Sequence, residues 1–398
     1  MKKPNRTLLS RCRLLPALLL SAGAAFAQPF EVGHRSLVFT DPDRGNRSIP
    51  CEVYYPALAA GEEVPVADSP ASFPVLGFGH GFVMTWDAYA NIWEALVPAG
   101  FILVFPTTEG GFAPSHEALA RDLVFVRKGM SELGGNPGSP FHGRVASASG
   151  VMGHSMGGGA AFLAAALDTG IQTLVTLAPA ETNPSAIAAA GLVSRPSLIF
   201  AGGNDCVTPP PQHQLPLFES LAGDCHAYLS ITGGSHCQMA ESNFLCTFGE
   251  ATCSPAPDIT RAEQHAVINR YLLPWLEAVL RQDCAAGQQF DSTLAADPAV
   301  TYQQTCPLGC PVVASSAPRT LPAGIFPNPF CDRWFVRLPS GDSAYLRLYN
   351  QAGTLVLERN QRQHDELDTS HLPPGPYHYL LHTQGGGRYT GTVVKACH

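Results

Sequence analysis

The segment Gly153-His154-Ser155-Met156-Gly157 carries the side chain in this sequence best suited to attack a carbonyl carbon. It closes a strand-like stretch, Ala146 to Met152, and opens onto the helix-forming run Ala160 to Leu167. The pattern predicts a strand-to-helix elbow with Ser155 on a strained turn, so the residues two before and two after it must lack bulk. The helix that follows aims its first N–H groups at the serine, where they favour a developing negative charge. That is acyl-transfer chemistry, and it needs more than the hydroxyl. A base must take the proton and a carboxylate must hold the base.

In an elbow of this kind the partners follow in the order serine, acid, histidine. A strand-like segment, Ser197 to Phe200, leads into the turn Gly202-Gly203-Asn204-Asp205-Cys206. Another ends at Ile231 and leads into Gly233-Gly234-Ser235-His236-Cys237. Asp205 and His236 therefore emerge at the sheet edge from which Ser155 projects, and they are the acid and base we expect. The other histidines fit less well. His154 lies inside the elbow and points away from its neighbour, into packing; His80 precedes a loop after an early strand and is structural; His116, His213, His226 and His265 stand on or near helices or before a strand. Among acids, Asp87, Asp122 and Glu181 follow no late strand and suit surface or capping roles. The transition state places charge on the carbonyl oxygen and needs two fixed N–H donors. Met156, next to the serine, supplies one, and Phe82 in His80-Gly81-Phe82 is expected to supply the other.

These residues must be held by something. Phe73–Gly79, Gly100–Pro106, Ala146–Met152, Gln172–Leu177, Ser197–Phe200 and Tyr228–Ile231 are apolar strand segments, and Arg47–Pro56 is an earlier, alternating one. Helical stretches are expected at Trp86–Leu96, His116–Leu133 and Gln264–Leu280. Continuously apolar strands alternating with helices mean a mostly parallel sheet covered on both faces, with ligands bound beyond the carboxyl ends of its strands.

The N-terminus reads as a secretory leader over residues 1–27: basic residues Lys2, Lys3, Arg6, Arg11 and Arg13, an apolar core from Leu14, and Ala25-Phe26-Ala27 before Gln28. Its apolar run is too short to span a bilayer. Without those five positive charges the formal net charge falls from −8 to −13. An acidic chain with no basic stripe argues against nucleic acid or an anionic membrane as partner. Of twelve cysteines, eleven follow the leader, which after export predicts several disulfides and one unpaired thiol. No cysteine pair has zinc-like spacing, and neither metal nor cofactor is expected.

Composition shifts beyond the expected catalytic domain, residues 28–306. Residues 307–327 are rich in proline, alanine and serine and read as a linker. From 328 to 398 short strand segments (Trp334–Leu338, Ala344–Tyr349, Thr354–Leu357, Tyr377–Leu381 and Tyr389–Val394) alternate with turn residues, the mark of a small all-β sandwich-like module.

From about Phe73 to His236 the chain resembles the α/β-hydrolase superfamily, and within it the dienelactone-hydrolase-like branch that includes bacterial cutinases and poly(ethylene terephthalate) hydrolases. The resemblance rests on the elbow extended to Gly158, on Ser139–Val145 before it, on Leu198–Asp205 and on Gly233-Gly234-Ser235-His236. It implies a serine carboxylic-ester hydrolase with triad Ser155, Asp205 and His236 and donors Phe82 and Met156. The polyester hydrolases carry a tryptophan on the loop after the strand that follows the elbow helix; here that loop, Ala178–Asn183, has no aromatic residue. Some relatives tie the acid loop to the histidine loop by a disulfide, which Cys206 and Cys237 would match. Cys206 with Cys225, and Cys246 with Cys253, stay open, since connectivity is not legible in sequence.

The tail resembles the C-terminal sorting domains of the type IX secretion system through Phe326–Phe330, Leu346–Gly353, Leu372–Tyr377 and Gly391–Lys395. This implies passage across an outer membrane to the cell surface or medium, with the secretion machinery as partner; Cys331 and Cys397 are placed to pair. A monomer acting on a small or polymeric ester is the expected protein. Two alternatives stand beside a general esterase: a polyester hydrolase, and a hydrolase fold used only for binding.

Overall fold

The structure, a computed structural model, describes residues 29–309, 324–326, 330–337, 343–362, 366–383 and 388–396. The expected leader and most of the expected linker lie outside them. The chain parts into two compact units between Cys310 and Pro311.

The first unit runs β1 (Glu31–Asp41), β2 (Arg47–Ala57), β3 (Gly61–Glu62), β4 (Phe73–Gly79), α1 (Ala90–Leu96), β5 (Ile102–Pro106), α2 (His116–Gly135), β6 (Val145–His154), α3 (Met156–Leu167), β7 (Thr173–Leu177), α4 (Ala186–Ala190), β8 (Ser197–Gly202), α5 (Gln214–Ser220), β9 (His226–Ile231), α6 (Phe244–Glu250), α7 (Arg261–Arg281), α8 (Cys284–Ala296) and β10 (Val300–Gln304). Ten strands form one sheet in the order β10-β9-β8-β7-β6-β4-β5-β2-β1-β3. The six strands from β9 across to β5 are parallel, while β10, β2 and β1 join antiparallel at the edges.

Every residue of β4, β5, β7 and β8 is buried, as strands covered on both faces require. Alternate residues serve opposite layers. Leu198 and Phe200 pack with Ile92, Leu96, Ile268, Leu272 and Leu276 beneath α1 and α7. Ile199 and Ala201 pack with Leu119, Phe162, Ala186 and Leu217 beneath α2, α3, α4 and α5.

Two expected helices differ in detail. The stretch expected as one helix from Trp86 begins with a 3₁₀ turn, Trp86–Tyr89, before α1. The closing helix starts earlier than Gln264, because Thr260 and Glu263 form a reciprocal capping box. Helices α4, α5, α6 and α8 and the edge strand β10 were not read from sequence.

Asp122 is a correction. Expected at the surface, it is fully buried on α2, where Arg44 and Arg47 reach its carboxylate at 2.6 and 2.7 Å and the Thr108 hydroxyl donates to it at 2.6 Å. A buried carboxylate is tolerated because both its oxygens are paired.

The second unit contains β11 (Gly324–Phe326), β12 (Arg333–Arg337), β13 (Ser343–Tyr349), β14 (Leu355–Arg362), β15 (Glu366–Asp368), β16 (Gly375–Thr383) and β17 (Arg388–Lys395). They form two antiparallel sheets, β11-β12-β15 and β14-β13-β16-β17. Strand β13 buries Ala344, Leu346 and Leu348 and turns the residues between them outward. These join Phe330, Trp334, Leu381 and Val393 in a core of the unit's own. No helix among the described residues is long and apolar enough to cross a membrane.

Candidate active site

Ser155 stands between β6 and α3 with φ 54° and ψ −120°. A non-glycine residue in this region carries strain that the surroundings must hold. They do so from three sides. The Ser155 N–H donates to Leu177 O at 3.0 Å, and its carbonyl accepts from Ala180 N at 2.9 Å and from Gly159 N at 3.1 Å. The flanking glycines are required by contact as well as by motif. A Cβ on Gly153 would lie 2.3 Å from Gly157 O, and one on Gly157 would lie 2.1 Å from Gly79 O. The elbow is thereby pressed against the end of β4, whose next residues are the His80-Gly81-Phe82 loop.

Met156 opens α3, so its N–H has no acceptor within the helix. Phe82 follows Gly81 in a turn closed by Met84 N donating to Gly81 O at 3.1 Å. Its ring is about half exposed and meets the exposed Phe112 edge-on, centroids 6.4 Å apart. His80 is buried, its Nε2 2.8 Å from Thr108 O, so it braces the loop after β5, in keeping with the structural role expected of it.

The loops carrying Asp205 and His236 are tied together before their side chains meet. Gly203 N donates to Ile231 O and Asn204 N to Gly234 O, both at 2.8 Å. Asp205 Oδ1 accepts from the Val207 and Thr208 N–H groups at 2.9 and 2.8 Å, and Oδ2 accepts from His236 Nδ1 at 2.8 Å and the Thr208 hydroxyl at 2.9 Å. Both side chains are buried. Their elements bring the imidazole to the elbow: its ring centroid lies 4.8 Å from that of His154, the residue before the serine. Ser155 is also largely buried, at 8% exposure.

His154 is packed in the interior, as its place inside the elbow led us to expect. It is fully buried beside His236, with Nδ1 3.1 Å from the Tyr89 hydroxyl. Burial, and secondarily the neighbouring His236, hold its basicity well below the ordinary histidine value, so it stays neutral. His213 stands at the N-cap position of α5 without bonding that helix's N–H groups, and accepts the Glu181 N–H at 3.0 Å; burial lowers its basicity too. His265 donates to Ala240 O, and His116 lies against the Asn183 backbone. Glu181 caps the first turn of α4 through the Ile187 N–H, and Asp87 takes the Thr85 hydroxyl near the surface.

Two supporting residues were missed in the sequence. Thr208 binds Asp205 and also accepts from the buried Gln214 amide at 3.0 Å; an acid followed three residues later by threonine was the available signal. Gln264 clamps Ser235 from both sides, accepting its N–H at 2.9 Å and donating to its carbonyl at 2.8 Å. Gln264 is in helical phase with the buried Ile268, Tyr271 and Trp275. A polar residue on a core stripe announces a buried partner.

The disulfides correct each proposed pairing around the site. Cys206 joins Cys253, Cys237 joins Cys246 and Cys225 joins Cys306. Acid and histidine loops are therefore each fastened to the segment around α6 rather than to each other. Cys51 is a free, buried thiol, which burial keeps protonated. Cys331 is disulfide-bonded; its suggested partner, Cys397, lies outside the described residues. No group of three or more His, Cys, Asp or Glu that could hold a metal occurs among the described residues.

Residues 30–253 match the family described as PET hydrolase-like. The chain belongs to this family. Its sheet, with helices on both faces and a serine elbow at the end of a central strand, is the α/β-hydrolase fold. Residues 324–396 match the secretion system C-terminal sorting domain, which accounts for the second unit. Among curated relatives, the bis(hydroxyethyl) terephthalate hydrolase of Streptomyces coelicolor is 28% identical over 181 residues, 45% of this chain and 55% of that protein. The chain thus spans about half the length of the curated relative it matches. The PET hydrolase-like match covers all five residues singled out as Ser155, Asp205, His236, Phe82 and Met156.

Proposed function

We propose that this member of the family is an exported serine hydrolase of carboxylic esters. The Asp205–His236 hydrogen bond, made at the end of the sheet that also carries the strained Ser155, is the observation that carries the reading. In this reading Asp205 holds the Nδ1–H tautomer of His236, leaving Nε2 to take the Ser155 proton. The serine oxygen attacks the ester carbonyl, and the oxyanion takes the N–H groups of Phe82 and Met156. Collapse expels the alcohol with a proton from His236 and leaves an acyl group on Ser155. Water activated by the same imidazole then releases the acid and restores the serine. Removing one oxyanion donor in such a site costs roughly a hundredfold to a thousandfold in rate.

A polyester or terephthalate ester as substrate is the second reading. It is favoured by the family match, by the similarity to a bis(hydroxyethyl) terephthalate hydrolase, and by the exposed Phe82–Phe112 pair, which offers aromatic surface although Ala178–Asn183 has none. The sorting-domain match supports delivery to the cell surface or medium by the type IX machinery. Short p-nitrophenyl esters run beside bis(hydroxyethyl) terephthalate and polyester film test both readings. Turnover of the first with Ser155→Ala inactive supports the esterase, soluble product from the others supports the second reading, and no turnover of any ester overturns both.

A further inference from the structure

The Tyr89 hydroxyl sits between two parts of the site that share no strand. It accepts the Gly81 N–H at 2.7 Å, and it lies 3.1 Å from His154 Nδ1. Gly81 precedes Phe82 in the loop after β4, and His154 precedes Ser155 in the elbow after β6. Tyr89 and His154 are both fully buried. We propose that Tyr89 is a positioning residue that locks the oxyanion loop to the nucleophile elbow, so that the Phe82 N–H is held in register with Ser155. The proposal rests on the esterase reading above.

The direction of the bonds follows from the proton count. A phenol has one proton to give, and here it already accepts from Gly81. Among the described residues the oxygen's other hydrogen-bond partner is the Met84 sulfur at 3.5 Å, a weak acceptor. Giving that proton to His154 Nδ1, the stronger acceptor, places the ring proton of His154 on Nε2, which has no hydrogen-bond partner among the described residues. Burial raises the phenol's pKa, so Tyr89 remains a donor across the working range. His154 in turn is a fixed, neutral acceptor that does not compete with His236 as base.

The geometry of the loop makes the bond consequential. Val83 has φ 50°, a conformation unfavourable to a β-branched residue, and the turn is closed by a single backbone bond from Met84 to Gly81. Gly81 is packed so closely that a Cβ would lie 2.8 Å from the Met84 sulfur and 3.2 Å from both Tyr89 Oη and His154 Nδ1. Anchoring the Gly81 amide fixes the peptide plane that leads into Phe82. Without the hydroxyl, Gly81 N–H and His154 Nδ1 both lose a buried partner, and the loop loses its tie to the elbow.

Tyr89→Phe tests this while retaining the ring against Phe78, 4.5 Å away between centroids. We expect kcat on a short p-nitrophenyl ester to fall about tenfold with KM within about twofold, and a boronic acid that mimics the tetrahedral intermediate to bind about tenfold more weakly. His154→Leu cuts the same link from its other end, and serves alone should Tyr89→Phe fail to fold. The double variant should be no slower than the worse single one, because both break one link. A Tyr89→Phe enzyme with kcat within about twofold of wild type, or losses that multiply in the double variant, overturns the proposal. If wild type itself turns over no ester and binds no boronic acid, the esterase reading fails and this proposal with it; an active wild type matched by Tyr89→Phe defeats this proposal alone.

Discussion

Cys206, the residue after Asp205, is bonded to Cys253 across 47 residues of sequence. On the other side Cys237, the residue after His236, is bonded to Cys246. The residues proposed as acid and base are thus each anchored at the next position along the chain to the segment that carries α6. Removing the first bridge with Cys206→Ser/Cys253→Ser should lower stability by about 3 kcal/mol. It should also reduce kcat more than it raises KM, because the Asp205 loop loses its fastening. Differential scanning calorimetry with ester kinetics checks both, and an unchanged melting temperature would contradict the first.

Thr208 links the Asp205 carboxylate to the Gln214 amide, so it holds the acid rather than touching substrate. Thr208→Val keeps the shape but takes one donor from Asp205 and one acceptor from Gln214. A loss of about 1–3 kcal/mol of stability is expected from the buried partners left unmade. The fall in kcat should be several-fold and KM should hold. A chemical denaturation curve superposing on wild type would contradict this.

Gly157→Ala should be far worse than an ordinary helix substitution, where alanine is the favoured residue. The added Cβ would meet Gly79 O at 2.1 Å, and that oxygen is backbone at the end of β4, which has little room to move. We expect a destabilisation of about 3 kcal/mol or more with nearly complete loss of ester turnover. A stable, active Gly157→Ala protein would show that the elbow can open.

Asp297 makes the stability of the closing helices acid-sensitive. Burial alone would raise its pKa, but the Ala299 N–H, the Tyr271 hydroxyl and Arg270 outweigh it and lower it. For a carboxylate depressed in the folded state, the unfolded chain binds a proton first, so stability falls as pH falls. The contribution is full above the unfolded carboxylate range and vanishes as pH drops through the lower folded value. Asp297→Asn should therefore cost stability at neutral pH, and that cost should shrink as pH falls through the folded value. Thermal melts across that range read the difference, and a cost independent of pH would contradict the assignment.

How much of this was legible in the sequence follows from which forces act locally. The elbow announces itself because only glycines fit at positions 153 and 157, and the buried strands because both their faces are apolar. That Asp205 and His236 would meet was legible because each follows a buried strand at a glycine turn. Asp122 was not, since its partners Arg44 and Arg47 come from a hairpin more than seventy residues away, and a lone carboxylate on a helix looks like a surface residue. Disulfide connectivity was hidden for the same reason: Cys225 meets Cys306 only because β10 returns to pair with β9. The Tyr89 link needs three segments at once.

The most direct test of the whole account is covalent labelling of Ser155. Wild-type protein treated with a fluorophosphonate should gain one adduct by intact mass, mapped to the peptide holding Ser155, with ester turnover falling in proportion to the fraction labelled. His236→Ala should label far more slowly, and Ser155→Ala should neither label nor hydrolyse ester. Turnover that survives in Ser155→Ala, or an adduct that maps to another residue, would contradict it.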